Sequence, residues 1–152
     1  MSYYPAFLHL EGRPCLVVGG GEVAASKIAG LLRAGAEVTV VAPEIDESVR
    51  RQVTVGRVVY HERRYREGDL RGMRLAVAAT DDPATNRRVA ADAEREGILL
   101  NVVDAPALST FIAPAVLERG ALQIAVSTSG TAPAFASGLR DRLGDQIGPE
   151  YV

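Results

Sequence analysis

Three glycines, Gly19, Gly20 and Gly21, follow the apolar, β-branched run Leu16-Val17-Val18, and a helical pattern starts directly after them. Through Gly19, Gly21 and Ala24 the stretch reads G-x-G-x-x-A. Each small residue has a physical task in a dinucleotide site: Gly19 permits the tight turn, Gly21 lets the backbone approach a pyrophosphate, and Ala24 lets the helix sit close to the strand. A helix beginning near Glu22 turns its unpaired N–H groups and the positive end of its dipole toward those phosphates. A glycine cluster alone is weak. Here the strand before it, and the helix and second strand after it, separate it from an ordinary glycine-rich turn.

Other residues carry chemistry by their position. Asp104 ends the apolar run Ile98-Leu99-Leu100-Asn101-Val102-Val103 and precedes Ala105-Pro106. A carboxylate there, at the sheet edge that receives the cofactor, can take a proton from a substrate within hydrogen-bond reach; alternatively it caps the following turn. Thr80, in Thr80-Asp81-Asp82-Pro83, sits where a strand meets a helix and is a candidate nucleotide contact. The hydroxyl-rich loop Ser127-Thr128-Ser129-Gly130-Thr131 precedes a last helix. It either caps that helix or holds substrate carboxylates at the helix's positive end. Arg119, Arg140 and Arg142 are either bidentate partners for such carboxylates or solvated surface charges. Lys27, about one turn into the first helix, either leans toward the ligand or is solvated.

The second strand, Glu37 to Val41, ends in Ala42-Pro43-Glu44, so the acid that often holds the ribose hydroxyls at the strand tip is missing. Either Glu44 or main-chain groups around Pro43 take that role, or Glu44 only charges the start of the next helix. No arginine follows directly, which favours NAD over its 2′-phosphorylated form.

These residues need a scaffold, and the pattern supplies one. Apolar positions Val23, Ala24, Ile28, Leu31 and Leu32 give a helix stopped by Gly35. A short helix over 45–53 and a third strand over 57–60 follow. The arginine-rich stretch 61–74 reads as a solvated loop. Leu75 to Ala79 is a strand buried on both faces, Asp82 and Pro83 open a helix that Gly97 stops, and Ile98 to Val103 is a fifth strand. Strands alternating with helices predict an α/β, Rossmann-type doubly wound parallel sheet. Residues 3–10 read as an extended entry or edge strand. Segments 111–117 and 121–127 read as an antiparallel hairpin added to that sheet, and a C-terminal helix starts near Pro133. The division expected is 1–104 for the NAD-binding part and 105–152 for the hairpin, a dimerisation segment and the start of a helical region.

The composition excludes several classes. With 152 residues, 47% of them hydrophobic and 24% charged, the chain can bury a core and is not of disordered type. A net charge of −2 without a basic face argues against nucleic acid. Two histidines and one cysteine cannot build a tetrahedral zinc site without carboxylates, so no metal is expected. Cys15 has no disulfide partner and reads as a buried, inert thiol. No signal peptide and no apolar run near 20 residues are present, which predicts a cytoplasmic protein with no membrane contact.

The run Leu16-Val17-Val18-Gly19-Gly20-Gly21-Glu22-Val23-Ala24 with Lys27, then Ala78-Ala79-Thr80-Asp81-Asp82, then Asn101-Val102-Val103-Asp104, resembles the precorrin-2 dehydrogenase family, the dehydrogenase part of siroheme synthases. The resemblance continues through Phe111-Ile112-Ala113-Pro114, Arg119 and Ser127 to Pro133 and spans nearly the whole chain. It implies NAD-dependent oxidation of precorrin-2 to sirohydrochlorin, with Asp104 in catalysis and the nucleotide against Glu22, Val23, Pro43 and Glu44. It also implies a homodimer formed through the C-terminal part. Some members insert iron into sirohydrochlorin as well, with the same aspartate implicated. The family usually continues with a further helical region, so the chain is expected to be truncated, and the methyltransferase activity of trifunctional siroheme synthases is not expected of it. The reading from another class is an NAD(H)-sensing regulatory module without catalysis, which would need neither Asp104 nor the hydroxyl loop.

Overall fold

The computed structural model describes residues 3–148. Its first compact unit, Ala6–Phe111, is built on five parallel strands. In chain order these are β1 (Pro14–Val18), β2 (Glu37–Ala42), β3 (Val58–Glu62), β4 (Leu75–Ala78) and β5 (Leu99–Val102). Helices α1 (Glu22–Arg33), α2 (Glu47–Thr54) and α3 (Pro83–Glu96) connect them. The strand order is β3-β2-β1-β4-β5, so the chain leaves β1 on one side, reaches the β3 edge, and crosses back to place β4 on the other side. Connections that diverge from a central strand open a crevice at its carboxyl end.

Burial explains why these segments are strands. Along β1, Cys15 and Val17 face the core shared with α1 and α2, while Leu16 and Val18 face the core shared with α3. Leu75 and Val77 alternate with Ala76 and Ala78 in the same way on β4. Both faces are covered, so the strands are apolar throughout. Pro14 opens β1, where a missing N–H costs least, and its carbonyl still accepts Arg74 N–H at 2.7 Å. Cys15 is fully buried, and burial pushes its thiol up to about 11 against a small opposing effect of the Leu75 backbone. Since the thiolate is the reactive form, Cys15 is chemically inert in the folded chain.

Helix ends follow the residues. Asp46 caps α2 by accepting Val49 N–H at 3.0 Å, and Asp82 caps α3 by accepting Ala84 N–H at 3.0 Å, with Pro83 in the first turn. Gly97 ends α3 in the left-handed conformation, at φ +67°.

Three expectations are corrected. Of the two readings of residues 3–10, the edge strand is not formed: the segment enters without regular structure, Tyr4 and Phe7 are exposed, and Leu10 alone is buried. The stretch 61–74 is not a solvated loop. Tyr65 and Leu70 are buried against the α3 face, and the Tyr65 hydroxyl donates to Asp92 on α3 at 2.6 Å. Arg63 donates both terminal nitrogens to Asp69 at 2.8 Å, and Arg66 N–H adds a bond to the same carboxylate. Burial opposes the ionisation of Asp69, but these partners hold its carboxyl below the usual range. Two apolar residues dispersed among charges leave no periodicity for a sequence pattern to register. Finally, the hairpin forms a sheet of its own rather than joining the parallel one.

That hairpin belongs to the second unit, which takes in residues 112–148 together with 3–5. Here β6 (Ala115–Arg119) pairs antiparallel with β7 (Leu122–Val126), Gly120 turning between them at φ +55°. Helix α4 (Pro133–Gln146) packs on both strands, with Leu117 and Ala136 buried. The units part after Phe111, whereas the pattern places the division after Asp104. Residues 105–111 stay with the first unit because Ser109 Oγ accepts Val102 N–H and Thr110 Oγ1 accepts Leu100 N–H, capping the free edge of β5. Among the described residues no helix is long and apolar enough to cross a membrane.

Candidate functional site

A cleft of about 780 Å³ lies at the carboxyl ends of β1, β2 and β4. The glycine turn forms its floor, and the three glycines meet different neighbours. A Cβ on Gly19 would stand 2.2 Å from the Ala79 carbonyl oxygen, and Gly19 adopts φ +122°, where L side chains are strained. A Cβ on Gly20 would stand 2.0 Å from the Glu44 carbonyl oxygen. A Cβ on Gly21 would meet nothing within 4 Å. The fold itself therefore requires Gly19 and Gly20, while the space beside Gly21 is open cleft. Gly21 also occupies the N-cap of α1, with no side chain bonding the first-turn N–H groups. Such a turn fits a pyrophosphate: room for its oxygens, unclaimed donors and the positive helix end.

The other expected residues of this site are brought together. Glu22, Val23, Pro43, Glu44 and Thr80 all line the cleft along with Gly19 and Gly21. Val23 is half exposed there although it is apolar. Glu44 does not cap α2, because Asp46 does, so its carboxylate is left on the cleft wall. Tyr60 steadies the turn beneath it by donating its hydroxyl to the Ala42 carbonyl at 3.0 Å. The Thr80 hydroxyl is bound within its own loop, at 2.8 Å from Asn86 Oδ1, while Asn86 Nδ2 donates to the Thr80 carbonyl. Thr80 thus shapes the loop as well as facing the cleft. Lys27 is half-buried on α1 and is not among the lining residues.

Pattern reading missed Gly20, Arg64, Tyr65 and Thr85, which also line the cleft. The one available signal was topological: Arg64 lies just past β3, at the carboxyl edge where ligands bind. The cleft is otherwise acidic, with Glu22, Glu44, Asp81 and Asp82 on its wall, and Arg64 is the sole cation among the described residues lining it. The Asp82 carboxyl is held below its ordinary range, first by the Thr85 hydroxyl and Ala84 N–H, with the Arg64 charge contributing.

Asp104 follows β5, one strand over from the Ala79–Thr80 wall, and is exposed. It is not among the residues lining the cleft. Its φ is +58°, within a turn closed by Ala105 N–H donating to the Val102 carbonyl. Among the described residues its carboxylate has no hydrogen bond or ion pair. Aspartate tolerates this conformation better than most residues, and strained positions concentrate at functional sites.

In the second unit, Ser129 and Gly130 have φ +55° and +81° in the hydroxyl loop. The loop bonds mainly to itself: Thr131 Oγ1 donates to the Thr128 carbonyl, and Thr128 Oγ1 accepts Ala132 N–H at 3.0 Å. Ser127 Oγ accepts Ser129 N–H at 3.1 Å. No side chain caps α4. Arg119 and Arg140 line one groove between β6 and α4, where Arg140 is paired with Asp141 at 2.6 Å.

Comparison with known proteins gives concordant matches. Residues 6–115 match the family described as "Putative NAD(P)-binding", and residues 119–146 match "Sirohaem biosynthesis protein central". Siroheme synthase of Chromobacterium violaceum is 47% identical over 151 residues, 99% of this chain and 32% of that protein. Siroheme synthase of Methylobacillus flagellatus is 44% identical over the same length and share. The chain therefore spans about a third of the length of the curated relatives it matches. A solved structure of SirC, a precorrin-2 dehydrogenase, superposes with a TM-score of 0.86 at 32% identity, over 98% of this chain and 73% of that one. With the NAD(P)-binding match over most of its length and this structural relative, the chain belongs to the precorrin-2 dehydrogenase family, the dehydrogenase part of siroheme synthases.

Proposed function

We propose that this chain carries out the NAD-dependent oxidation of precorrin-2 to sirohydrochlorin. The observation that carries the reading is the glycine turn, where the protein fills the space beside Gly19 and Gly20 and leaves it open beside Gly21. The family to which the chain belongs supports the choice of substrate.

When bound, the nicotinamide supplies the hydride acceptor. The chain supplies position and charge. N–H groups at the start of α1, beside Gly21, Glu22 and Val23, hold the pyrophosphate. Glu44 and the main chain at Pro43 take the ribose hydroxyls, and the Glu44 carboxylate repels a 2′-phosphate, which favours NAD. Thr80 lines the β4 side. Oxidation removes two hydrogens from the macrocycle: one leaves as hydride, and Asp104 takes the other as a proton. Among the described residues its carboxylate has no hydrogen bond or ion pair to give up first. Substrate carboxylates are met by Arg119 and by the N–H and hydroxyl groups of Ser127, Thr128, Ser129, Gly130 and Thr131 ahead of the uncapped α4. The acting form is a homodimer.

The test is an anaerobic mixture of the protein, NAD⁺ and precorrin-2. NADH and sirohydrochlorin are expected to rise together in equal amounts. Tight NADH binding without any change in the tetrapyrrole would instead support the sensing module and reject the dehydrogenase.

A further inference from the structure

We propose that Arg64 is a specificity residue for the adenosine end of the dinucleotide, its guanidinium lying on the face of the purine base. The proposal rests on the reading of the cleft as a dinucleotide site and adds to it a residue that the glycine motif does not reach.

The β2–β3 ladder continues one bond past Glu62, since Arg63 N–H donates to the Ala42 carbonyl at 3.1 Å. Arg64 therefore enters the cleft beside the end of β2. In sheets of this kind the pyrophosphate sits at the first helix and the ribose at the end of the second strand. The base then lies beyond the ribose; Arg64, Asp82 and Thr85 are among the residues lining the cleft, and the Arg64 charge acts on the Asp82 carboxyl, which also accepts from Thr85.

The arginines around Arg64 are engaged: Arg63 is locked to Asp69 by two bonds, and Arg66 lies 3.9 Å from the same carboxylate. The Arg64 guanidinium has no hydrogen bond or ion pair among the described residues, although it shares a cleft with four carboxylates. An exposed arginine left unpaired beside acids costs the fold little and is free to turn onto a ligand.

Chemistry selects the part of the ligand it meets. A phosphate held by Arg64 at the ribose would also face the Glu44 and Asp82 carboxylates. A neutral purine carries no such penalty. Its π face attracts a planar, weakly hydrated guanidinium, and flat stacking is a contact lysine cannot reproduce.

The test is equilibrium titration of the unaltered chain and of Arg64→Ala and Arg64→Lys with NADH, ADP-ribose and NADPH, with thermal melts of all three proteins alongside. Because the side chain is exposed and unpaired, the melts are expected to coincide. Arg64→Ala is expected to weaken NADH and ADP-ribose to the same extent, by about 3- to 10-fold, and Arg64→Lys to recover only a minor part. The ratio of NADPH to NADH affinity stays constant. Unchanged NADH affinity in Arg64→Ala overturns the proposal while leaving the dinucleotide site intact. So does full recovery in Arg64→Lys, which would make the contact one of charge alone. A selective loss of NADPH binding would mean that Arg64 pairs a phosphate, and also overturns it. If the unaltered chain binds neither NADH nor ADP-ribose, the site itself is wrong.

Discussion

Gly20→Ala is expected to destabilise the first unit severely, while Gly21→Ala leaves it folded and weakens its affinity for NADH at least ~10-fold. The Cβ added at position 20 stands 2.0 Å from the Glu44 carbonyl oxygen and 2.9 Å from Ile45 Cα. These are backbone atoms, so no rotamer change relieves the overlap. The two segments are also bonded there, Asp46 N–H donating to the Gly20 carbonyl at 2.8 Å. Ordinary overpacking costs about 1–3 kcal/mol, and domains are stable by about 5–15 kcal/mol. A backbone collision lies at or above the top of the first range. We expect a melting temperature at least ~10 °C lower, or no cooperative transition. At position 21 the added methyl meets no protein atom, and the backbone is extended, at φ −81°, which any residue adopts. Its melt should shift by only a few degrees, reflecting the weaker N-cap. The methyl would occupy the space through which a pyrophosphate approaches, so NADH affinity should fall at least ~10-fold. Thermal melts and fluorescence titrations measure both. Equal NADH affinity in Gly21→Ala would remove the pyrophosphate from this turn.

The second large effect is expected at Asp104. Asparagine is the informative replacement because φ is +58°: it keeps a side chain that tolerates the left-handed region, whereas alanine adds backbone strain of ~1 kcal/mol. Asparagine cannot accept a proton at neutral pH. If Asp104 is the base, Asp104→Asn should lower turnover of precorrin-2 by ~10²- to 10³-fold and leave NADH affinity and the melt unchanged. The carboxylate is exposed and does not line the cleft, so neither NADH binding nor stability is expected to depend on it. Unchanged steady-state rates would reject the catalytic role and leave Asp104 as a turn residue.

Where each residue takes its instructions explains what the sequence made legible. The first helix could be read because Ala24 and Ile28 fall on one face and Gly35 ends it, all local features. The strands β1 and β4 could be read because burial on two faces makes them apolar without interruption. Gly19 and Gly21 belong to a motif whose spacing is itself the signal. Gly20 is the unspecified position of that motif, and its constraint comes from Glu44 and Ile45, more than twenty residues away in the chain. Arg64 and Tyr65 lay in a charged stretch without period, and only the strand order carries them to the cleft and the core. Glu44 leaves two readings open in the sequence; the structure puts it among the residues lining the cleft, while the hydrogen-bonded cap of α2 comes from Asp46.

The most direct test of the account is a crystal structure of the chain with NADH. The pyrophosphate is expected against the N–H groups that follow Gly21 at the start of α1, with the adenosine ribose toward Pro43 and Glu44. A dinucleotide bound elsewhere, with the turn from Gly19 to Val23 touching no part of it, would contradict the account.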